Sequence, residues 1–272
     1  MYKNKKSALD WNIKTHDKIA KKYEKIHGEI YNEIEQNRIN SILNHAISCV
    51  NTVSNKKVAL DFGCGAGNLT SHLVSFGYNV IASDISKGFL DLIDSRSYKT
   101  DIHTIQLNGV DLSGIADESV DMVATYSVLH HVPDYLSIIK EFMRVLKPGG
   151  VVYIDHEPSE EFWVKNQLLS NFEMEMNKVI PVDFSKYFVL ANYYDWLIRK
   201  FVNPRYHREG DIHVFEDDHV EWHKIVESMV AEGGQVALSQ DYLLFRRKYD
   251  VSIYNMYKER ISDMHVLVMR KL

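Results

Sequence analysis

The sequence predicts an α/β fold in which a mostly parallel sheet carries helices on both faces, and three observations predict it. The first is the stretch Val58 to Asn68, VALDFGCGAGN. Its Val58, Ala59, Leu60 and Phe62 form the short apolar run of a buried parallel strand, which leads straight into glycines at alternate positions. The second is that the pattern continues: the helix-forming segment NLTSHLVSFG follows the glycines, and NVIASD reads as another apolar strand ending in Asp84. The third is the later succession SVDMVATYSVLHHV, PDYLSIIKEFMRVLKPGG and VVYIDHEP, again strand, helix, strand.

Size and composition bound the rest. A chain of 272 residues has room for one sizeable α/β domain with an insertion. Hydrophobic residues at 45% and charged residues at 25% are ordinary for a soluble globular protein, and no apolar run approaches the length of a membrane span. The first residues, MYKNKKSALDW, lack the apolar core of a secretory signal, so a cytoplasmic protein with no membrane partner is expected. A net charge of −5 argues against a nucleic acid partner, which demands a basic face to neutralise phosphates. Cys49 and Cys64 make no disulfide framework, and Cys64, inside the glycine loop, reads first as a small space-filling residue.

Glycines at 63, 65 and 67 allow a tight turn that brings backbone N–H groups against a ligand. A dinucleotide fingerprint needs Gly-x-Gly-x-x-Gly, but Asn68 occupies the last position and the third glycine comes one residue early. Asp61, just before the loop, suits a cationic ligand instead, because a carboxylate there repels phosphate and attracts ammonium. On these residues the chain resembles the class I S-adenosyl-L-methionine (SAM) dependent methyltransferases that act on small molecules, whose first motif is this acidic-x-Gly-x-Gly-x-Gly strand-turn. The resemblance implies a Rossmann-like seven-stranded sheet, mostly parallel with an antiparallel last strand, and SAM as cofactor. It divides the chain into N-terminal helices covering the SAM site (1–55), the SAM-binding core (56–157), a helical insertion (158–215) and a closing helix and hairpin (216–272).

In chain order, two helices are expected before the glycine loop, from Asn12 to Ile26 and from Glu29 to about Val50. In the second, Ile30, Ile34, Ile39, Ile42, Leu43, Ala46 and Ile47 make one apolar stripe that suits packing on a sheet. The first resembles helices that fold over the SAM site, and Tyr23, one turn from His27, is its candidate contact; a solvated helix is the alternative. Gly77 is a plausible C-cap after NLTSHLVSFG, and Ser86 a plausible N-cap for SKGFLDLIDSRS. Asp84 stands where a ribose lies at the strand carboxyl ends, with Ile85 beside it.

A third strand is expected in DIHTIQL. The resemblance implies an adenine contact just after it, here Asn108 with the N–H of Gly109, or alternatively Asp111. The fourth strand, Val120 to Thr125, breaks at Tyr126 and Ser127, which the resemblance places against the methyl donor. Neither Asn-Pro-Pro-Tyr nor Pro-Cys stands there, which excludes the DNA and glutamine amino-methylating enzymes and the cytosine C5 enzymes. Lys147 to Gly150, KPGG, is expected to stop the next helix before strand VVYIDHEP.

Pro158 to Phe215 is rich in aromatics (Phe162, Trp163, Phe172, Tyr187, Phe188, Tyr193, Tyr194, Trp196, Phe201, Tyr206) and is punctuated by Pro181 and Pro204. It reads as a lid over an acceptor pocket, with contact to a second subunit in a homodimer as the alternative. Helix DDHVEWHKIVESMVAEGG and strands QVALSQDYLLF and MHVLVMRKL then close the fold. His219 and His223 are one helical turn apart but lack a specified third ligand, so a solvated face is expected there and no metal.

The function that follows is methyl transfer from SAM to O or N of a small, partly apolar or aromatic molecule. An RNA or protein acceptor, or a non-catalytic SAM-binding scaffold, are the alternatives. His130, His131 and His156 are the candidate general bases, because they follow the ends of strands four and five, and Tyr126 lines the same cavity. Donor contacts fall to Tyr23, Asp61, Gly63, Cys64, Gly65, Gly67, Asp84, Ile85, Asn108, Gly109, Tyr126 and Ser127.

Overall fold

The computed structural model describes residues 5–164, 166–180, 190–208 and 210–272. Pro181, Tyr187 and Phe188 of the expected lid lie outside the described residues. Five parallel strands form the body of the sheet: β1 (Val58–Phe62), β2 (Asn79–Asp84), β3 (Ile102–Gln106), β4 (Val120–Tyr126) and β5 (Leu146–Pro158). The connecting helices are α4 (Asn68–Ser75), α5 (Lys87–Asp94) and α6 (Tyr135–Val145), after α1 (Lys5–Ile19), α2 (Tyr23–Ile26) and α3 (Glu33–Ser48). Beyond β5 come α7 (Gln167–Val179), α8 (Leu190–Phe201), a small ribbon of β6 (Val214–Phe215) and β7 (Asp218–His219), α9 (Trp222–Ala231), β8 (Gly234–Tyr242), α10 (Val251–Tyr257) and β9 (Met264–Lys271). The seven-stranded order is β3-β2-β1-β4-β5-β9-β8, with β9 antiparallel to both its neighbours.

Strand alternation divides the core. Ala59, Val80, Ala124 and Tyr153 face Ile39, Leu43, Leu69 and Leu73 on one side, while Leu60, Phe62, Val123 and Ile154 face Ile139, Phe142, Trp222 and Met229 on the other. The order reverses between β1 and β4, and such a switch point leaves a crevice at the strand carboxyl ends. Among the described residues no helix is long and apolar enough to cross a membrane.

Several local expectations are corrected. The first helix is already formed at Lys5, ahead of Asn12, and the second starts at Glu33 rather than Glu29, because the Asn32 side chain accepts from the Glu35 N–H and starts the helix there. KPGG belongs to β5: α6 ends at Val145, Leu146 already pairs with Val120, and the register then shifts before Met122. The Asn51 N–H donates to the Gly149 carbonyl at 2.8 Å, and a Cβ on Gly149 would lie 2.5 Å from the Asn51 oxygen, so a close backbone crossing requires the glycine. His219 lies in β7 and His223 in α9, so they share no helix face; His219 stacks on Trp163, and both approach Glu160. Helix α10 interrupts the closing hairpin, whose apolar run gave no sign of it. Gly77 and Ser86 take their expected capping places, with Gly77 left-handed at φ 83° and the Ser86 hydroxyl accepting from the Phe89 N–H.

Of the described residues of the insertion, those of α7 turn away from the crevice. Phe172 and Met176 of α7 are buried against Phe245, Tyr254 and Tyr257, on the side of the sheet carrying α10. Helix α8 leaves Tyr193, Tyr194, Trp196 and Phe201 exposed. What reaches the crevice region is the end of the insertion, where Tyr206 meets the ring of Trp11 edge-on and the Arg208 carbonyl accepts from the Trp11 indole N–H.

Helix α3 is fixed to the sheet by a buried charge network. Arg38 donates to Glu35 at 2.8 Å and to Asp155 at 3.0 Å, and its guanidinium lies 3.7 Å from the centre of the Tyr242 ring. Asp155, fully buried at the end of β5, also accepts from Tyr242 at 2.9 Å and from the hydroxyl of Tyr153. Removing one partner of a buried pair leaves the other charge uncompensated. Arg38→Ala is therefore expected to lower unfolding stability by about 3–5 kcal/mol, as measured by chemical denaturation. A loss below about 1 kcal/mol would place the pair among weak surface bridges.

Candidate functional site

The loop after β1 is held by its neighbour strand. Gly63 and Cys64 donate backbone N–H groups to the Ser83 carbonyl at 2.8 and 2.9 Å, and Gly65 donates to Asp84 Oδ2 at 2.9 Å. All three loop glycines have positive φ, and a Cβ on Gly63 would come within 2.5 Å of Val128. Around this loop lies a cleft in two adjoining parts. The larger spans about 790 Å³ of atom-free space, counting the part open to solvent. The smaller, about 320 Å³, lies against Asp61, Cys64, Asn68 and Tyr31, and the two parts share Tyr23, Gly63, Gly65 and Tyr126 as walls.

Charge in the cleft is set by burial. Burial pushes the Asp61 carboxyl up to about 7, against the opposing hydrogen bond from the Thr70 hydroxyl at 2.5 Å. Asp84 is likewise raised by burial, to about 6, although the N–H groups of Ser86 and Gly65 bond its two oxygens. The amide nitrogen of Asn68, on the wall of the smaller part, is buried with no hydrogen-bond partner. An unmade donor on a pocket-lining residue beside a carboxylate fits a ligand that carries an acceptor and a cation together, such as an amino acid end.

The N-terminal helices close the cleft from above. Leu9, His16 and Tyr23 line it, and Asp17 of α1 accepts from the Ser86 hydroxyl and from the Gly88 N–H at 3.0 Å, which ties α1 to α5. The Tyr23 ring rests 4.1 Å from that of His27.

The structure brings most of the expected donor contacts together. Tyr23, Gly63, Gly65, Asp84, Ile85, Gly109, Tyr126 and Ser127 line the larger part, and Asp61 and Cys64 the smaller. Two do not reach it. Gly67 is the left-handed N-cap of α4, and a Cβ there would meet Ile93 at 2.6 Å. Asn108 is spent on its own turn, accepting from the N–H groups of Val110 and Asp111 and donating to Asp111, whereas Asp111, the alternative, does line the cleft.

Of the three candidate bases, His131 alone lines the cleft. His156 lies behind Tyr126, stacked at 4.6 Å and sharing a 2.9 Å hydrogen bond with its hydroxyl, and burial lowers it to about 3. His130 donates from Nδ1 to Glu157 at 2.7 Å. His16, which the sequence did not single out, lines the cleft instead; burial lowers its pKa, and Nδ1 bonds the Asn12 carbonyl at 3.0 Å. Glu157 and Asp211 were also missed. Glu157 had a local signal, as one of two acids flanking His156 at a strand end; Asp211 had none.

Comparison with known proteins gives the same setting. A methyltransferase domain family matches residues 60–154. A demethylmenaquinone methyltransferase of Staphylococcus epidermidis is 30% identical over 191 residues, 68% of this chain and 75% of that protein. A ubiquinone biosynthesis O-methyltransferase of Aliivibrio fischeri is 31% identical over 145 residues, 52% of this chain, and the chain spans 60% of its length. A SAM-dependent methyltransferase structure from Methanosarcina mazei shares the fold, with a TM-score of 0.51 at 20% identity over 85% of this chain and 97% of that one.

Carboxyl-selective NMR across pH is expected to find Asp61 titrating near 7, and higher still in Thr70→Val, which removes an opposing hydrogen bond. An Asp61 titrating in the ordinary carboxylate range would contradict this account of the cleft.

Proposed function

Because the chain belongs to the class I SAM-dependent methyltransferases, we propose that it transfers a methyl group from SAM to O or N of a small, partly apolar or aromatic molecule. The observation that carries this reading is the two-part cleft, in which an acid-flanked glycine loop and an unmade amide donor face one compartment and apolar walls face the other. Bound SAM supplies a sulfonium methyl that is already activated for in-line displacement.

The chain's own residues then position and protect. Asp61 and Asn68 hold the amino acid end, Asp84 accepts from the ribose hydroxyls, and Asp111 with the backbone of Gly109 borders the base. Tyr23 and Tyr126, which wall both compartments, present aromatic faces where a cationic centre gains by being desolvated. The acceptor side is formed by Phe62, Phe89, Val128, Val132 and Ile138, which suits an aromatic ring and excludes water. His16 bonds the Asn12 carbonyl through Nδ1, so Nε2 is the atom that takes a proton from an acceptor hydroxyl or ammonium, and its burial keeps the ring neutral for that task. Both cysteines are free thiols, in keeping with a reducing cytoplasm as the working compartment.

Incubation with methyl-labelled SAM and extract small molecules is expected to place the label in the low-mass fraction; label in RNA or protein instead would move the acceptor class. Calorimetry is expected to show SAM binding weakened by about tenfold or more in Asp84→Ala, which loses charge-assisted hydrogen bonds. No heat with SAM or its demethylated product would sink the reading.

A further inference from the structure

At the acceptor side of the cleft, the turn after β4 meets the end of the insertion beneath α1. His130, His131 and Asp211 converge there, with ligating atoms within 4.8 Å of one another. His131 Nδ1 stands 3.5 Å from Asp211 Oδ1, and both atoms are buried without a hydrogen-bond partner. A ring nitrogen and a carboxylate oxygen left 3.5 Å apart make only a long contact, which an ion between them would replace with two bonds. Their separation is close to the roughly 3.4 Å between two ligands of a tetrahedral ion with bonds near 2.1 Å.

The surroundings are also those of a ligand set. The outer nitrogen of a metal-bound imidazole characteristically donates to a carboxylate, which fixes ring and tautomer. Here Glu157, whose side chain is 1% exposed, accepts from His130 Nδ1 at 2.7 Å. The other oxygen of Asp211 is engaged by His207 Nδ1 at 3.0 Å. The turn that carries both histidines is fixed as well. Glu157 accepts from the N–H groups of Val128 and Leu129 at 2.8 and 2.6 Å, and the His130 carbonyl accepts from those of Ile212 and His213 at 3.0 Å.

We infer that His130, His131 and Asp211 bind a divalent first-row transition ion, and that its open coordination position faces the acceptor compartment. Two imidazoles and one carboxylate suit zinc and its borderline neighbours rather than magnesium or calcium, which prefer oxygen ligands. Three protein ligands leave a position for an oxygen, so the acceptor class narrows to molecules that present a hydroxyl or phenol. The ion's binding is independent of the reaction, but this role rests on the methyltransferase reading. In that role the acceptor hydroxyl gives its proton to His16 Nε2; the O–CH3 bond forms as the S–CH3 bond breaks, and the electron pair of that bond stays on sulfur. His131 then acts through the ion rather than as the base.

The test is competition of the purified full chain with a chromophoric chelator for Zn2+, with SAM calorimetry on the same samples. The wild-type chain is expected to take up one Zn2+, and Asp211→Asn to bind it about tenfold or more weakly while keeping its SAM heat. Should Asp211→Asn fail to fold, His207→Ala, which removes an outer partner, is expected to weaken Zn2+ in the same direction. No Zn2+ uptake by the wild type, or unchanged affinity in the folded variant, overturns the site. Zn2+ uptake that depends on Asp211 in a chain that gives no SAM heat upholds the site and overturns the methyltransferase reading instead.

Discussion

Carboxylates buried at the carboxyl ends of parallel strands are the constraint around which the structure is arranged. Asp61 ends β1, Asp84 ends β2, and Asp155 and Glu157 end β5; all four are buried. A buried carboxylate must be neutralised, paired or hydrogen-bonded, and each of these meets the demand differently. Asp155 is paired with Arg38 and so anchors α3. Asp84 takes the Gly65 N–H and so shapes the loop. Glu157 takes the turn after β4 and the ring of His130. Asp61 has the Thr70 hydroxyl and, among the described residues, no paired cation, so burial holds its carboxyl up to about 7. The fold thus leaves its least compensated carboxylate where a cationic ligand would rest.

The same ends govern how the cleft is covered. Helix α1 is bonded to α5 through Asp17, to the His131 carbonyl through Asn12, and to Tyr206 and the Arg208 carbonyl through Trp11. A Cβ on Gly210 would come within 2.3 Å of the Asn12 side-chain oxygen, so the Asn12 side chain packs directly on the Gly210 backbone. The N-terminal helix and the end of the insertion therefore form one cover, and the acceptor compartment is bounded by residues from opposite ends of the chain.

Much of this was legible in the sequence where cause and effect are local. The apolar run VALDF, the alternate glycines and the acid ending NVIASD each act within a few residues, and strand, loop and cleft wall follow from them. KPGG misled because its two glycines read as a helix stop, while their actual demand comes from Asn51, a distant backbone passing within contact. Asn108 misled because an Asn before Gly serves its own turn as readily as a ligand. Asp211 and His16 could not be read at all, since their surroundings are set by tertiary contacts across most of the chain. The aromatic richness of the insertion was correctly noticed, but composition does not say which face of the sheet a helix will choose, and α7 went to the side of α10.

The central claim is that Asp61 awaits a cationic ligand with its carboxyl raised to about 7, so that it still holds part of its proton at neutral pH. Calorimetry of SAM binding near neutral pH, repeated in buffers of different ionisation heat, tests it directly, because the heat difference counts protons. A raised carboxyl pKa falls when an ammonium group settles beside it, so binding should release protons and weaken as pH falls through about 7. Asp61→Asn should abolish that release. Binding without proton release in the wild-type chain, at a pH where Asp61 still holds its proton, would contradict the account.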